Sequence, residues 1–227
     1  MGIISAKVGF PARTFIHNGQ LYLRFMDYIG VPCRLDELTT EQIQLINRMR
    51  EDLIAAAQVD VSNSRRVFES MLSMIEPGNM LELGPGKFPL RIDGGDWVPF
   101  YREIDGEAAD LLQTNGARVL GRSDGTRDWT MPETLKAICA VNVVHFAIDL
   151  AFTRSALVRL DGKGLMLANF IDGNTSMPLA LLSLLSDLDL AFKIFRPAGA
   201  SACEWYVAAS ASPEILRRIR TVIEMKR

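Results

Sequence analysis

The chain has 227 residues, of which 48% are hydrophobic and 23% charged, an ordinary globular composition with room for a substantial core. Its formal net charge of −2 argues against a nucleic-acid binder that works through bulk electrostatics. Cys33, Cys139 and Cys203 form no Cys-x-x-Cys pair, so neither a zinc site nor a disulfide framework is indicated.

In chain order, Gly9-Phe10-Pro11 and Asn18-Gly19 are turn signals. The aromatic-rich run Leu21–Ile29 fits either a helix or a strand. Thr39 or Thr40 is a cap for a long amphipathic helix, with Glu41 in its first turn and Ile43, Leu45, Ile46, Met49, Leu53 and Ile54 at roughly helical spacing up to Ala57. Residues 1–60 are therefore expected to be an N-terminal helical segment. It would be either a lid that selects a substrate or an appendage packed on the sheet or on a second subunit, giving a homodimer through these helices.

Residues 61–227 read as one domain. Ser62 or Ser64 is a cap for a helix with Val67, Phe68, Met71, Leu72 and Ile75 on its apolar face, stopped by Pro77-Gly78. A first strand covers 79–84 and a second Val98–Ile104. Gly106–Thr114 is a helix, and Ala117–Leu120 a third strand. Pro132–Leu135 is a candidate short helix. The nearly continuous apolar run Ala137–Val144, with Cys139 as a small buried hydrophobe, suits a central parallel strand. Asp149 opens a helix to Leu160, Asp161-Gly-Lys-Gly164 is a turn, and Leu165–Phe170 is a fifth strand. Met177–Leu188 is helical, Ala191–Phe195 and Glu204–Ala209 are strands, and Pro213–Met225 is a closing helix. Alternating strands and helices imply a parallel sheet with right-handed crossovers, and the short last link makes the final pair antiparallel. The expected fold is thus a three-layer α/β sandwich. Arg65-Arg66 and Arg217-Arg218 with Arg220 read as solvated helix faces.

There is no basic-then-apolar signal-peptide pattern at the start, and Ala6 breaks the myristoylation pattern. The apolar stretch Leu179–Leu185 is too short to span a bilayer. The expectation is a cytoplasmic protein with neither a membrane nor a nucleic-acid partner.

Four polar features follow four successive strands. They are Glu82-Leu-Gly84-Pro85-Gly86, Glu103-Ile-Asp105, Asp124-Gly125 and Asn142-Val-Val-His145. In an open α/β sheet all four fall along the carboxyl edge, where ligands bind. Glycines let the backbone approach a ligand closely, and a carboxylate can accept bonds from both hydroxyls of a ribose.

This order, over roughly residues 62–210, resembles the class I S-adenosylmethionine-dependent methyltransferases, a Rossmann-like family whose mostly parallel seven-stranded sheet ends in an antiparallel strand. The resemblance implies S-adenosyl-L-methionine as cofactor. It implies that Gly84, Pro85 and Gly86 pass under the methionine and ribose, with Glu82 anchoring the loop. It gives the ribose diol to Glu103, with Asp105 as rival, and the adenine amino group to Asp124, beside Gly125. Asn142 and His145 fall in the stretch after the fourth strand, and Leu160–Gly164 resembles the family's Leu-x-Gly-x-Gly turn. The third glycine is replaced, since Lys87, Phe88 and Pro89 follow Gly86. This matches a subset with a Gly-Pro-x-x-x-Pro loop and a curtailed helix. Phe146 stands where a second histidine often lies.

Methyl transfer from a sulfonium needs alignment and exclusion of water, and a base only when the acceptor keeps its proton. His145, with an unperturbed pKa of about 6.5, is the candidate base, or else a residue lining the cofactor. No Asn-Pro-Pro-Tyr-like motif follows the fourth strand, so by elimination the expected substrate is a small molecule. The alternatives are a non-catalytic scaffold that keeps the fold, and a NAD-dependent oxidoreductase, whose Gly-x-Gly-x-x-Gly fingerprint is broken by Pro89.

Overall fold

A computed structural model describes residues 12–17, 20–25, 29–32, 61–86, 89–92, 94–103, 106–121, 129–141, 149–171, 176–197, 200 and 204–225. The first three strands, β1 (Ala12–His17), β2 (Gln20–Phe25) and β3 (Ile29–Pro32), form their own antiparallel sheet in the order β1-β2-β3. His17 pairs with Gln20; the turn signal Asn18-Gly19 lies outside the described residues. The described part of the N-terminal segment is therefore β-structure and not helical. Its β-branched and aromatic residues, Thr14, Phe15, Ile16, Tyr22 and Phe25, suit strands. The helix expected up to Ala57 lies outside the described residues.

The rest begins with α1 (Val61–Leu72), whose buried stripe runs Ser64, Phe68, Met71, Leu72. Ser64 is inside this helix and does not cap it. Seven strands follow in one sheet. They are β4 (Asn79–Leu83), β5 (Val98–Arg102), β6 (Arg118–Val119), β7 (Leu135–Ala140), β8 (Leu160–Ile171), β9 (Ala191–Phe195) and β10 (Glu204–Ser210), in spatial order β6-β5-β4-β7-β8-β10-β9. Four helices accompany them: α2 (Gly106–Thr114), α3 (Leu150–Leu157), α4 (Ser176–Asp187) and α5 (Pro213–Met225). Pairing is parallel from β6 through β8, while β10 is antiparallel to both β8 and β9. Numbered within this sheet alone, the order is 3-2-1-4-5-7-6. Its first five members have the doubly wound order, so the chain reverses direction across the sheet at β4/β7, the switch point beside which ligands bind.

Each face of the sheet is covered. On one face Leu81, Leu83, Phe100, Ile138 and Met166 pack with Ala156 and Leu157 of α3 and Leu181 and Leu185 of α4. On the other, Met80, Cys139, Leu167 and Tyr206 pack with Phe68 and Leu72 of α1 and Leu216 and Ile219 of α5. Strand alternation thus puts Leu81 and Leu83 on the first face, and Met80 and Glu82 on the second.

Three local expectations differ from the structure. No helix forms at Pro132–Leu135. Leu135 opens β7, and its N–H bonds to Arg159 O at 2.8 Å. Asp161–Gly164 is not a turn between elements but lies within β8. Leu135 pairs with Leu160 and Ala137 with Leu165, so five steps along β8 match two along β7. The extra residues bulge out of the ladder, with Lys163 N bonded to Asp161 Oδ1 at 2.8 Å. Glycines mark bulges as readily as turns. Asp149 does cap α3, accepting from Phe152 N at 3.0 Å, but the helix stops at Leu157. Among the described residues, no helix is long and apolar enough to cross a membrane.

Candidate functional site

The loop after β4 is built from backbone that only glycine adopts freely. Gly84 has φ 61° and Gly86 φ 59°, both in the left-handed region that costs other L-residues roughly 1–2 kcal/mol. Gly84 N bonds to Arg102 O at 2.8 Å, so the loop leaves the sheet in register with the end of β5. A Cβ built on Gly86 meets no atom within 4 Å. Among the described residues, the backbone here borders open space that any other side chain would enter. Pro85 between the glycines is buried.

Two carboxylates hold this loop. Glu82, 1% exposed, accepts from Leu90 N at 2.8 Å through Oε2. That bond joins the residue just before the loop to the chain beyond it. Glu103, 7% exposed, accepts from Gly86 N at 2.8 Å through its Oε2. The acid after β5 is thus tied to the glycine turn after β4, which orients its carboxylate. Burial pushes the Glu82 carboxyl up to about 8, against the pull of the Leu90 N–H and the Arg65 charge, and the Glu103 charge adds to the rise. Burial and then the Glu82 charge also push the Tyr101 phenol up to about 12 and raise the Cys139 thiol.

Of the residues singled out in the sequence, Glu82, Gly84, Pro85, Gly86 and Glu103 come together at this corner. Asp105, Asp124, Gly125, Asn142 and His145 lie outside the described residues. The chain adjoining the last four is described: Gly121 immediately precedes 122–128, and Val141 and Asp149 bracket 142–148. Two residues with a part in the corner are not evident from sequence. Arg65 is half-buried and lies close enough to Glu82 to lower its pKa, while Arg66 beside it is exposed. The solvated-face reading therefore holds only for Arg66 of that pair. The periodicity of α1 carries the signal, since Arg65 lies three residues before the buried Phe68. Arg102 is buried at the end of β5 and reaches both the end of β6 and the start of α3. Only its place next to Glu103 could have drawn attention to it.

Farther along the same edge, Glu204 opens β10, paired with Ile171. Ser64 Oγ, Asn169 Nδ2 and Tyr206 Oη each donate to its Oε1 at 2.7 Å. All four residues are buried. The network ties α1, β8 and β10 together, and the Tyr206 phenol is raised by burial.

No protein-family model matches the chain, and no curated protein matches it. Among solved structures it is similar to a TehB-like SAM-dependent methyltransferase from Corynebacterium glutamicum, at 18% identity over 74% of this chain and 97% of that one, with TM-score 0.48. A methyltransferase from Pyrococcus furiosus gives 13% identity, 74% and 98% coverage and TM-score 0.48. A 16S rRNA N2 G1207 methyltransferase from T. thermophilus, solved with AdoMet and guanosine, gives 16% identity, 89% and 50% coverage and TM-score 0.42.

Proposed function

We propose that this chain is an S-adenosylmethionine-dependent methyltransferase that acts on a small-molecule acceptor. One observation carries the reading. The loop at the switch point has two left-handed glycines, and its second glycine N–H is bonded to the acid that ends the neighbouring strand. The open space beside Gly86 and the adjoining Glu103 carboxylate fit a ligand with a ribose diol. The antiparallel β10 between β8 and β9 is the sheet ending that the resemblance calls for, and Pro89 stands where a dinucleotide fingerprint has its third glycine.

The bound cofactor would supply a methyl carbon already activated by positive sulfur. The work left to the protein is alignment and exclusion of water. Gly84 and Gly86 keep side chains out of the path of the methionine and ribose. Glu82 holds the loop through Leu90, and Glu103 accepts from the ribose hydroxyls. Asp124 accepts from the adenine amino group. His145 lines the methyl-transfer side and takes the acceptor's proton where the acceptor needs a base. Residues 1–60 form the segment that covers the acceptor, and residues 61–227 the cofactor-binding domain.

Incubation with methyl-labelled S-adenosylmethionine and separate pools of small metabolites, RNA and protein tests this. Label in the metabolite pool alone is expected. Label in RNA or protein would overturn the acceptor class, and no transfer to any pool despite cofactor binding would favour a non-catalytic scaffold.

A further inference from the structure

Arg102 is 7% exposed, and its guanidinium sits among groups from three parts of the chain. Nη1 donates to Leu120 O at 3.2 Å and to Gly121 O at 3.0 Å. Nη2 lies 3.7 Å from Asp149 Oδ2. The guanidinium carbon is 4.7 Å from the centre of the Phe152 ring. Gly121 has φ 69°, and a Cβ there would collide with Arg102 Nη1, so the glycine makes room for the guanidinium as well as for its own backbone. Asp149 at the same time caps α3 through its other oxygen, which accepts from Phe152 N at 3.0 Å.

These contacts fall at the roots of three of the four polar features of the carboxyl edge. Arg102 itself precedes Glu103. Leu120-Gly121 precedes the segment with Asp124 and Gly125. Asp149 follows the segment with Asn142 and His145. A buried cation is costly unless paired and hydrogen-bonded, so the spacing among these roots is held wherever the guanidinium must keep its partners. Only arginine fits the position, because its rigid planar fork can reach two carbonyls and a carboxylate at once, whereas an ammonium is a point charge on a flexible stem. We propose that Arg102 is the positioning residue of the adenosine half of the cofactor site, setting the end of β6 against the start of α3. This inference rests on the cofactor reading above.

The test is calorimetric titration of the full chain and its Arg102→Met, Arg102→Lys, Asp149→Asn and Gly121→Ala variants with S-adenosylhomocysteine and, separately, with adenosine. Melting temperatures are recorded alongside. Arg102→Met is expected to weaken both ligands by the same factor, about tenfold or more, with Arg102→Lys recovering part of the loss. Asp149→Asn alone should give part of that loss, and little more when added to Arg102→Met. If Arg102 were only a core filler, its loss would lower the melting temperature and leave the affinity of the folded protein unchanged, which would overturn the proposal. Should Arg102→Met not fold, Gly121→Ala carries the same test, since it keeps the arginine and displaces it. Wild-type affinity in that variant overturns the proposal too. A wild-type chain that binds neither ligand sinks the cofactor reading and this inference together, whereas a binding wild type with unaffected variants sinks the inference alone.

Discussion

Glu82 and Glu204 are both 1% exposed, and both lie on the sheet face covered by α1 and α5, yet they are held in opposite ways. Glu82 accepts one backbone N–H, that of Leu90 at the far end of a glycine loop. Glu204 collects three side-chain donors from α1, β8 and β10 on a single oxygen. The first arrangement fixes a loop and leaves a carboxyl whose proton is held up to about 8. The second fixes three elements to one another. A buried acid at a carboxyl edge is therefore not by itself a mark of ligand binding. What it bonds to distinguishes a site support from a core tie.

The largest effect is expected at Glu204. Glu204→Ala would leave Ser64, Asn169 and Tyr206 without their shared acceptor, each costing roughly 1–3 kcal/mol. A loss on the order of 3–5 kcal/mol in urea unfolding is expected, with cofactor affinity of the folded protein unchanged. A large drop in affinity at unchanged stability would make Glu204 part of the site.

Glu82 should instead show itself through pH. Its carboxyl is raised from 4.5 to about 8 in the folded state. Between those values the unfolded chain has released the proton and the folded chain retains it. The stability this group contributes is whole below about 4.5 and is lost as pH rises toward 8, at about 1.4 kcal/mol per pH unit. Glu82→Gln has no proton to lose, so its stability relative to wild type should climb from pH 5 to pH 8. Parallel curves for the two proteins over that range would refute the account of Glu82.

Smaller effects are expected at Glu103 and Ser64. Glu103→Ala should weaken S-adenosylhomocysteine binding by about 1–3 kcal/mol, the range for hydrogen bonds to a charged group. Unchanged affinity in calorimetry would transfer the ribose to Asp105. Smallest of all, Ser64→Ala removes one of three donors to Glu204 and should cost only about 0.5–1.5 kcal/mol in thermal unfolding. A cost as large as that of Glu204→Ala would mean that the network does not share its load.

Features held by local bonds are readable from the sequence, and those held by distant partners are not. The strands of the large sheet read well because buried parallel strands are short apolar runs closed by turn residues, as at Met80–Leu83 before Gly84. The glycine loop reads as a turn because Gly84 and Gly86 are the residues that take left-handed backbone freely, whereas the bond from Gly86 N to Glu103 spans 17 residues and no local pattern shows it. The Glu204 network did not, since Ser64 and Glu204 are 140 residues apart and no local pattern pairs them. Ser64 near a helix start resembles a cap, and only tertiary packing turns its hydroxyl elsewhere. The β8 bulge read as a turn because Gly162 and Gly164 serve either, and register decides. The turn signal at Asn18-Gly19 lies outside the described residues, and the aromatic run after it fits helix and strand alike until pairing decides.

Calorimetric titration of the purified chain with S-adenosylmethionine, S-adenosylhomocysteine and NAD in parallel tests the cofactor most directly. Binding of the first two and none of NAD is expected. Binding of NAD alone, or of none of the three, would contradict the cofactor reading.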